Sequence, residues 1–444
     1  MQKGSVYIKK KQYFCTVIQN HKMMKRLLIL LVCLPIWAAG QSLEECQTAA
    51  EHNYPLIRQY DLVARTTDLT LSSIKRGWLP QLSVNAQVSY QSDVTSWPEQ
   101  IQAMYQQAGL DMKGLDKFQY RVGLDLNQPV YDGGVMHSRQ RVTRAEGEVQ
   151  SAQTEVTLYQ VRQRVNELFF SLLLVQEQLR LNHERTFLLQ ENEKTVTALY
   201  NSGSASESEV QTIRAEVLDA HRQQTTLTSQ QRALQRMLSL FCGIEVTEPV
   251  KPEEWSSLSE ELNRPELKLA DAQLRLAQAQ ERALNSALTP RLSVFASGFY
   301  GYPGYSLFHD MMHRNGSLNG IVGARLTWSL SPFYTRRNDR AKIQVQREMV
   351  ETNRELFLFN TRLERTRQDE QTEQYRQLMR DDEQIITLRT AIRQAAESKM
   401  QNGIISVNDL LKEINSENAA RVQLSIHEIE LLKNQYDQRF TTNN

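Results

Sequence analysis

The chain has 444 residues, 40% of them apolar, with 52 Lys and Arg against 51 Asp and Glu and a mean hydropathy of −0.51. So long and polar a chain, with only 18 Gly and 11 Pro, points to long helices rather than many small domains. The near-neutral charge excludes the basic footprint that nucleic acid requires.

The first expected element is a targeting segment. Lys25 and Arg26 precede the apolar run "LLILLVCLPIW", followed by "AAG" before Gln41. This reads as a secretory signal over residues 1–40 with cleavage after Gly40, and residues 1–22 read as upstream of a start at Met23 or Met24. The run is too short to span a membrane, which takes roughly 17 residues or more. The signal carries seven positive charges away, so the mature chain holds 45 Lys and Arg against 51 Asp and Glu, a net of −6. Cys46 and Cys242 remain, either as one bridge in an oxidising compartment or as two separate buried thiols.

A helix is expected over 43–77, then strands over 80–90 and 118–131. In "LSVNAQVSY", Leu82, Val84, Ala86, Val88 and Tyr90 alternate with Ser83, Asn85, Gln87 and Ser89. In "YRVGLDLN", Tyr120, Val122, Leu124 and Leu126 alternate with Arg121, Gly123, Asp125 and Asn127. A period of two gives each strand one apolar and one polar face. "YDGG" at 131–134 reads as a strand-to-helix turn. A long helix follows over 138–200, without Pro and with Gly147 alone, about 95 Å at 1.5 Å per residue. Its Val161, Val165, Leu168, Leu172, Val175 and Leu179 form a heptad seam. A turn and a return helix over 207–242 complete a first unit, 41–243.

A polar linker over 244–262 leads into a second unit, 263–440, that repeats the first. "LPQLSVNAQVSY" at 79–90 is answered by "TPRLSVFASGFY" at 289–300, and Pro80 by Pro290. Downstream, Val122, Gly123 and Leu126 are answered by Val322, Gly323 and Leu326, and Gly203 and Ser206 by Gly403 and Ser406. The change in offset falls between the strands, where a loop tolerates length change. The expected elements are a helix over 265–288, strands over 290–300 and 319–331, a long helix over 338–400 and a return helix over 407–440. Ile385, Leu388 and Ile392 repeat the seam spacing. Phe295 and Phe299 break the alternation by falling on the polar side.

A soluble sheet with one face in a core could carry such strands. Their length, however, suits a tilted membrane strand. Trp78, Tyr90, Tyr120, Tyr131, Tyr300, Trp328 and Tyr334 sit at strand ends, as interfacial girdles do. Four strands cannot close a barrel, and an open edge is not viable in lipid. Strands that span a bilayer here would therefore come from several chains, most simply with cyclic symmetry.

The two-fold repeat of strand pair plus helical hairpin resembles the TolC-like outer-membrane efflux proteins over residues 43–440. Its most specific parts are the turns "YNSGSASESEV" (200–210) and "MQNGIISVNDL" (400–410), each a Gly followed six residues later by an acid and an aliphatic. The resemblance implies an α+β membrane protein: a homotrimer with one 12-stranded outer-membrane β-barrel, four strands per chain, continued by a periplasmic α-helical barrel. It implies a passive exit duct served by a periplasmic adaptor and an inner-membrane pump, without cofactor. The adaptor would dock on tips formed by Gly203, Ser204, Ala205 and Ser206 and by Gly403, Ile404, Ile405 and Ser406. Asp409, with Glu209 in the matching place, stands where some relatives have a ring of acid. Lys412 stands where a second acid occurs, and Met400 and Ile405 stand where tip-locking Tyr and Arg occur. Arg121, Asp125 and Arg325 would face the lumen, mixed in sign.

An enzyme reading finds little support. "HDMMH" (309–313) spaces two histidines as a zinc helix does but lacks the Glu of H-E-x-x-H, and it lies in a loop between strands. A soluble periplasmic coiled-coil adaptor would explain the helices but leave four girdled strands without a role.

Overall fold

The computed structural model describes residues 41–110, 114–254 and 262–443; the signal segment and 255–261 of the linker lie outside them. Helix α1 (Leu43–Asn53) opens on a capping box in which Ser42 and Glu45 satisfy each other's backbone N–H. The single helix expected over 43–77 is two: α1 ends at Tyr54, which is extended (φ −63°, ψ 129°), and α2 runs over Ile57–Arg76. Pro55 is the cause, because its ring disfavours helical geometry in the residue before it.

Strand β1 (Gln81–Tyr90) leads through a loop containing a short helix, α3 (Glu99–Gln107), to β2 (Phe118–Tyr131). Helix α4 (Val135–Asn201), 67 residues long, begins three residues earlier than expected. Asp132 explains the start: its carboxylate accepts from the N–H of Gly134 (2.9 Å) and of Met136 (2.6 Å), and Gly133 and Gly134 supply the positive φ of the turn. Then come α5 (Glu207–Cys242), α6 (Pro265–Ser286), β3 (Arg291–Tyr302), α7 (Leu307–His313) and β4 (Ser317–Thr327). Helix α8 (Ser331–Gln401) has 71 residues, and α9 (Val407–Thr442) closes the described chain. The alternation of Trp328 and Leu330 suggests strand to 331, yet β4 stops at Thr327. Trp328 turns its indole N–H to the Leu288 carbonyl (3.0 Å), and the helix begins at Ser331 instead, with Pro332 in its first turn.

The sheet is antiparallel throughout, in the order β1-β2-β3-β4, with β1 and β4 as open edges. Its apolar face is exposed: Val84 is 75% accessible, Val88 68%, Leu124 51% and Val322 76%. A soluble fold would cover such a face.

Helix α4 packs against α2, α5, α6 and α9, and α9 also packs against α8. One core lies beside α1, where Leu43, Val165, Phe169, Phe170, Leu172, Leu238 and Leu432 meet. Cys46 and Cys242 are part of it. They are two buried free thiols, with the Cys242 thiol donating to the Cys46 carbonyl (3.4 Å). A second core lies at the far end of the long helices. The seam read in α4 is buried at Val161, Val165, Leu172 and Val175, whereas Ile385, Leu388 and Ile392 of α8 are exposed. Within one chain, the second seam has no partner.

Candidate functional site

Two regions carry the expected functional residues: the polar face of the sheet and the helix tips. On the sheet, the pairing register places Arg121, Gly123 and Asp125 of β2 beside Gly301, Phe299 and Ser297 of β3. Asp125 accepts from the Asn85 amide on β1. The Arg121 guanidinium lies over the Phe299 ring, 3.9 Å from its centroid, and that of Arg325 lies 4.8 Å from the Phe295 centroid. The two phenylalanines that break the alternation thus have a physical place. Phe299 pairs with Gly123 and Phe295 with Gly323, where the missing side chains leave room for the Phe299 Cβ and the Phe295 ring. A Cβ on Gly123 would meet the Phe299 Cβ at 2.8 Å, and one on Gly323 would meet the Phe295 ring at 2.9 Å.

At the foot of this face, where strands meet helices, a cleft of about 550 Å³ is lined by Arg139, Arg291 and Arg325 together with Asp132, Tyr131 and Met136. Sequence reading finds Arg325 but misses Arg139 and Arg291. They come from different elements, and nothing local to either announces the meeting.

The tips are two turns of one design. Gly203 (φ 76°) and Gly403 (φ 70°) take the left-handed conformation that ends α4 and α8. Ser204 N–H bonds back to Leu199 O (2.8 Å) and Ile404 N–H to Lys399 O (2.9 Å). Ser206 and Ser406 then start α5 and α9 with capping boxes. Glu209 accepts from Ser206 N–H (2.8 Å) and hydroxyl (2.9 Å), and Asp409 from Ser406 N–H (3.2 Å) and hydroxyl (2.7 Å). The Ser206 N–H and hydroxyl hold the Glu209 carboxyl below its ordinary range, with help from the Val407 N–H on the other turn. The Ser406 hydroxyl and N–H, with nearby Lys412, do the same for Asp409. Both acids are therefore charged and engaged as caps.

Beneath the turns, Val196, Val210, Ile213, Met400, Val407, Leu410 and Ile414 unite all four long helices in one apolar cluster. Met400 is buried and Ile405 packs against the cluster, so apolar contact holds the two turns of one chain together. Gly203, Ser204, Ser206, Gly403, Ile404 and Ser406 are exposed, and Ala205 and Ile405 half-buried. The His309 and His313 rings lie 4.4 Å apart on α7, tilted to one another, and among the described residues no third metal-binding side chain joins them.

Residues 63–243 match the family model for outer membrane efflux proteins. No curated protein sequence matches the chain significantly. Among solved structures, the outer membrane protein VceC of Vibrio cholerae shares the fold with a TM-score of 0.65 at 11% identity, over 90% of this chain and 96% of VceC. The Campylobacter jejuni CmeC outer membrane channel gives 0.64 at 14% identity, over 90% and 85% of the two chains. The open state of the Neisseria gonorrhoeae MtrE outer membrane channel gives 0.61 at 14%, over 90% and 89%.

Proposed function

Because residues 63–243 match the family model for outer membrane efflux proteins, we propose that three copies join their sheets into one 12-stranded barrel continued by a periplasmic tube of helices. The protein is an outer-membrane channel of an efflux system, and its helical part lies in the periplasm. One observation carries the trimer: a four-stranded sheet with two open edges and an exposed apolar face. Lipid satisfies the face but not the edges, since unpaired backbone N–H and C=O groups cost several kcal/mol each in hydrocarbon. Edge β1 must therefore find an edge β4, and a heterologous contact that closes after three copies supplies it.

The helices support the same closure. Leu62 and Leu69 are exposed on α2, which leads into β1, and Val345, Met349, Leu356 and Phe359 are exposed on α8, which leaves β4. Joining β1 to β4 between copies brings these flanks into register and gives the unpartnered seam of α8 a partner. The two units of each chain serve as pseudo-equivalent repeats around the ring.

Conduction in this reading is passive. Arg121, Asp125 and Arg325 face the lumen. The turns 203–206 and 403–406 form the rim on which a periplasmic adaptor docks, linking the duct to an energised inner-membrane pump. Glu209 and Asp409 ring the tip as capped acids. A soluble periplasmic scaffold is disfavoured by the exposed apolar sheet. Fractionation and planar bilayers test the reading: the protein should need detergent for extraction and give discrete conductance steps. Release by carbonate washing, with no conductance, would exclude it.

A further inference from the structure

Three arginines meet at the foot of the sheet with no acid to pair them. Among the described residues, Arg139, Arg291 and Arg325 line one cleft and none of them forms an ion pair. Arg291 and Arg325 are on the same face, because Arg291 pairs with Thr327 and Ser293 with Arg325. That makes them diagonal neighbours, about 7–8 Å apart at the backbone, where like charges repel. The acid in the cleft, Asp132, forms no ion pair with them: its two oxygens accept the N–H groups of Gly134 and Met136. The remaining wall is largely apolar, with Ile74, Tyr131, Val135 and Met136 beside the guanidiniums. The strand residues in the wall are chiefly those of the polar face, so the cleft opens away from the lipid-facing side.

We propose that this cleft is a binding station for water-borne amphiphilic organic anions, a sulfonate or carboxylate on an apolar body, passing through the duct. The proposal rests on the channel reading above. The guanidiniums take the anionic head as charge-assisted hydrogen bonds, and the apolar wall takes the body. Its place between tube and barrel puts it on the route of every molecule leaving the helices. Three copies in a trimer would surround that passage with arginines.

The test uses the intact protein in planar bilayers of neutral phosphatidylcholine, with 2-naphthalenesulfonate as the probe. The sulfonate should block current at concentrations where benzenesulfonate, with less apolar body, and the cation 1-naphthylmethylammonium do not. Arg139→Ser, Arg291→Ser and Arg325→Ser should each raise the half-blocking concentration about tenfold, the worth of one hydrogen bond to a charged group, with conductance steps retained as proof of assembly. Arg121→Gln, on the same face but outside the cleft, should leave the block unchanged. Equal block by the cation, or an equal effect of Arg121→Gln, would overturn the proposal, because either would mean that a general lumen property is being read. A block appearing only in bilayers of anionic lipid would assign the arginines to headgroups and overturn it too. Wild-type protein that conducts nothing would defeat the channel reading itself, a result distinct from conduction without block.

Discussion

The Arg121 guanidinium lies 3.9 Å from the centre of the Phe299 ring, across two strands that meet at Gly123. The cation–π contact is worth about 0.5–1 kcal/mol at an exposed site, and Gly123 leaves room for the Phe299 Cβ, which a Cβ at 123 would meet at 2.8 Å. Gly123→Val should therefore push Phe299 off the sheet and cost about 1–3 kcal/mol, as overpacking does. Urea unfolding in detergent reads this directly. A midpoint unchanged from wild type would mean that the ring has room elsewhere.

The two faces of the sheet should respond oppositely to charge. Leu124→Arg, on the apolar face, should impair insertion by roughly 2–4 kcal/mol if the site lies near the bilayer midplane. Asn127→Arg, on the polar face, should assemble normally. Equal assembly of the two variants, judged by their yield in the outer-membrane fraction, would reverse or abolish the face assignment.

The tips should lose function without losing structure. Ala205→Trp and Ile404→Glu, at half-buried and exposed positions, should abolish export while leaving assembly and membrane insertion intact. Gly403→Trp is a poor probe, because a φ of 70° strains any side chain whatever it touches. Export that persists in both of the first two variants would place the docking surface elsewhere.

The capping acids set a pH window. The pKa values of Glu209 and Asp409 are lowered in the folded chain, so their contribution is complete above the unfolded values near 4 and is lost as pH falls through the depressed folded values. Hydrogen exchange at 203–210 and 403–410 should accelerate below about pH 4 before the long helices exchange. Ser406→Ala should cost about 1 kcal/mol of local stability and produce the same acceleration at neutral pH. If Asp409→Ala changes ion selectivity in a bilayer, the acid also acts on the permeant ion. If it only loosens the turn, the cap is its whole role.

Asp437 shows the opposite sign. Burial pushes its carboxyl up to about 6, so its stabilising effect holds below an unfolded value near 4 and is lost as pH rises through about 6. Asp437→Asn should make the protein more stable at pH 8 by about 1–2 kcal/mol, taking about 1.4 kcal/mol per pH unit reduced for water reaching a half-buried group. It should also flatten the stability profile between pH 4 and 6. An unchanged profile would mean that the carboxyl is as well solvated folded as unfolded.

Much of this was legible in the residues, because strands and helices of this length announce themselves by period. The alternation in β1 and β2 marked which residues share a face, and the Gly and Ser of each tip marked the turn. What escaped has local causes. Pro55 breaks a helix that periodicity alone runs through. Phe295 and Phe299 look misplaced until the register sets each against a glycine on the neighbouring strand. The grouping of Arg139 with Arg291 and Arg325 is a matter of tertiary placement, which no spacing along the chain encodes. Nor does spacing separate a seam buried within one chain, as at Val165, from one left exposed, as at Leu388.

The most direct measurement is the native mass of the detergent-extracted protein. An open four-stranded sheet with exposed apolar residues requires partners, and the expected species is three chains, stable until the barrel is denatured. A folded, inserted protein that sediments or ionises as a single chain would contradict the closure on which the channel depends.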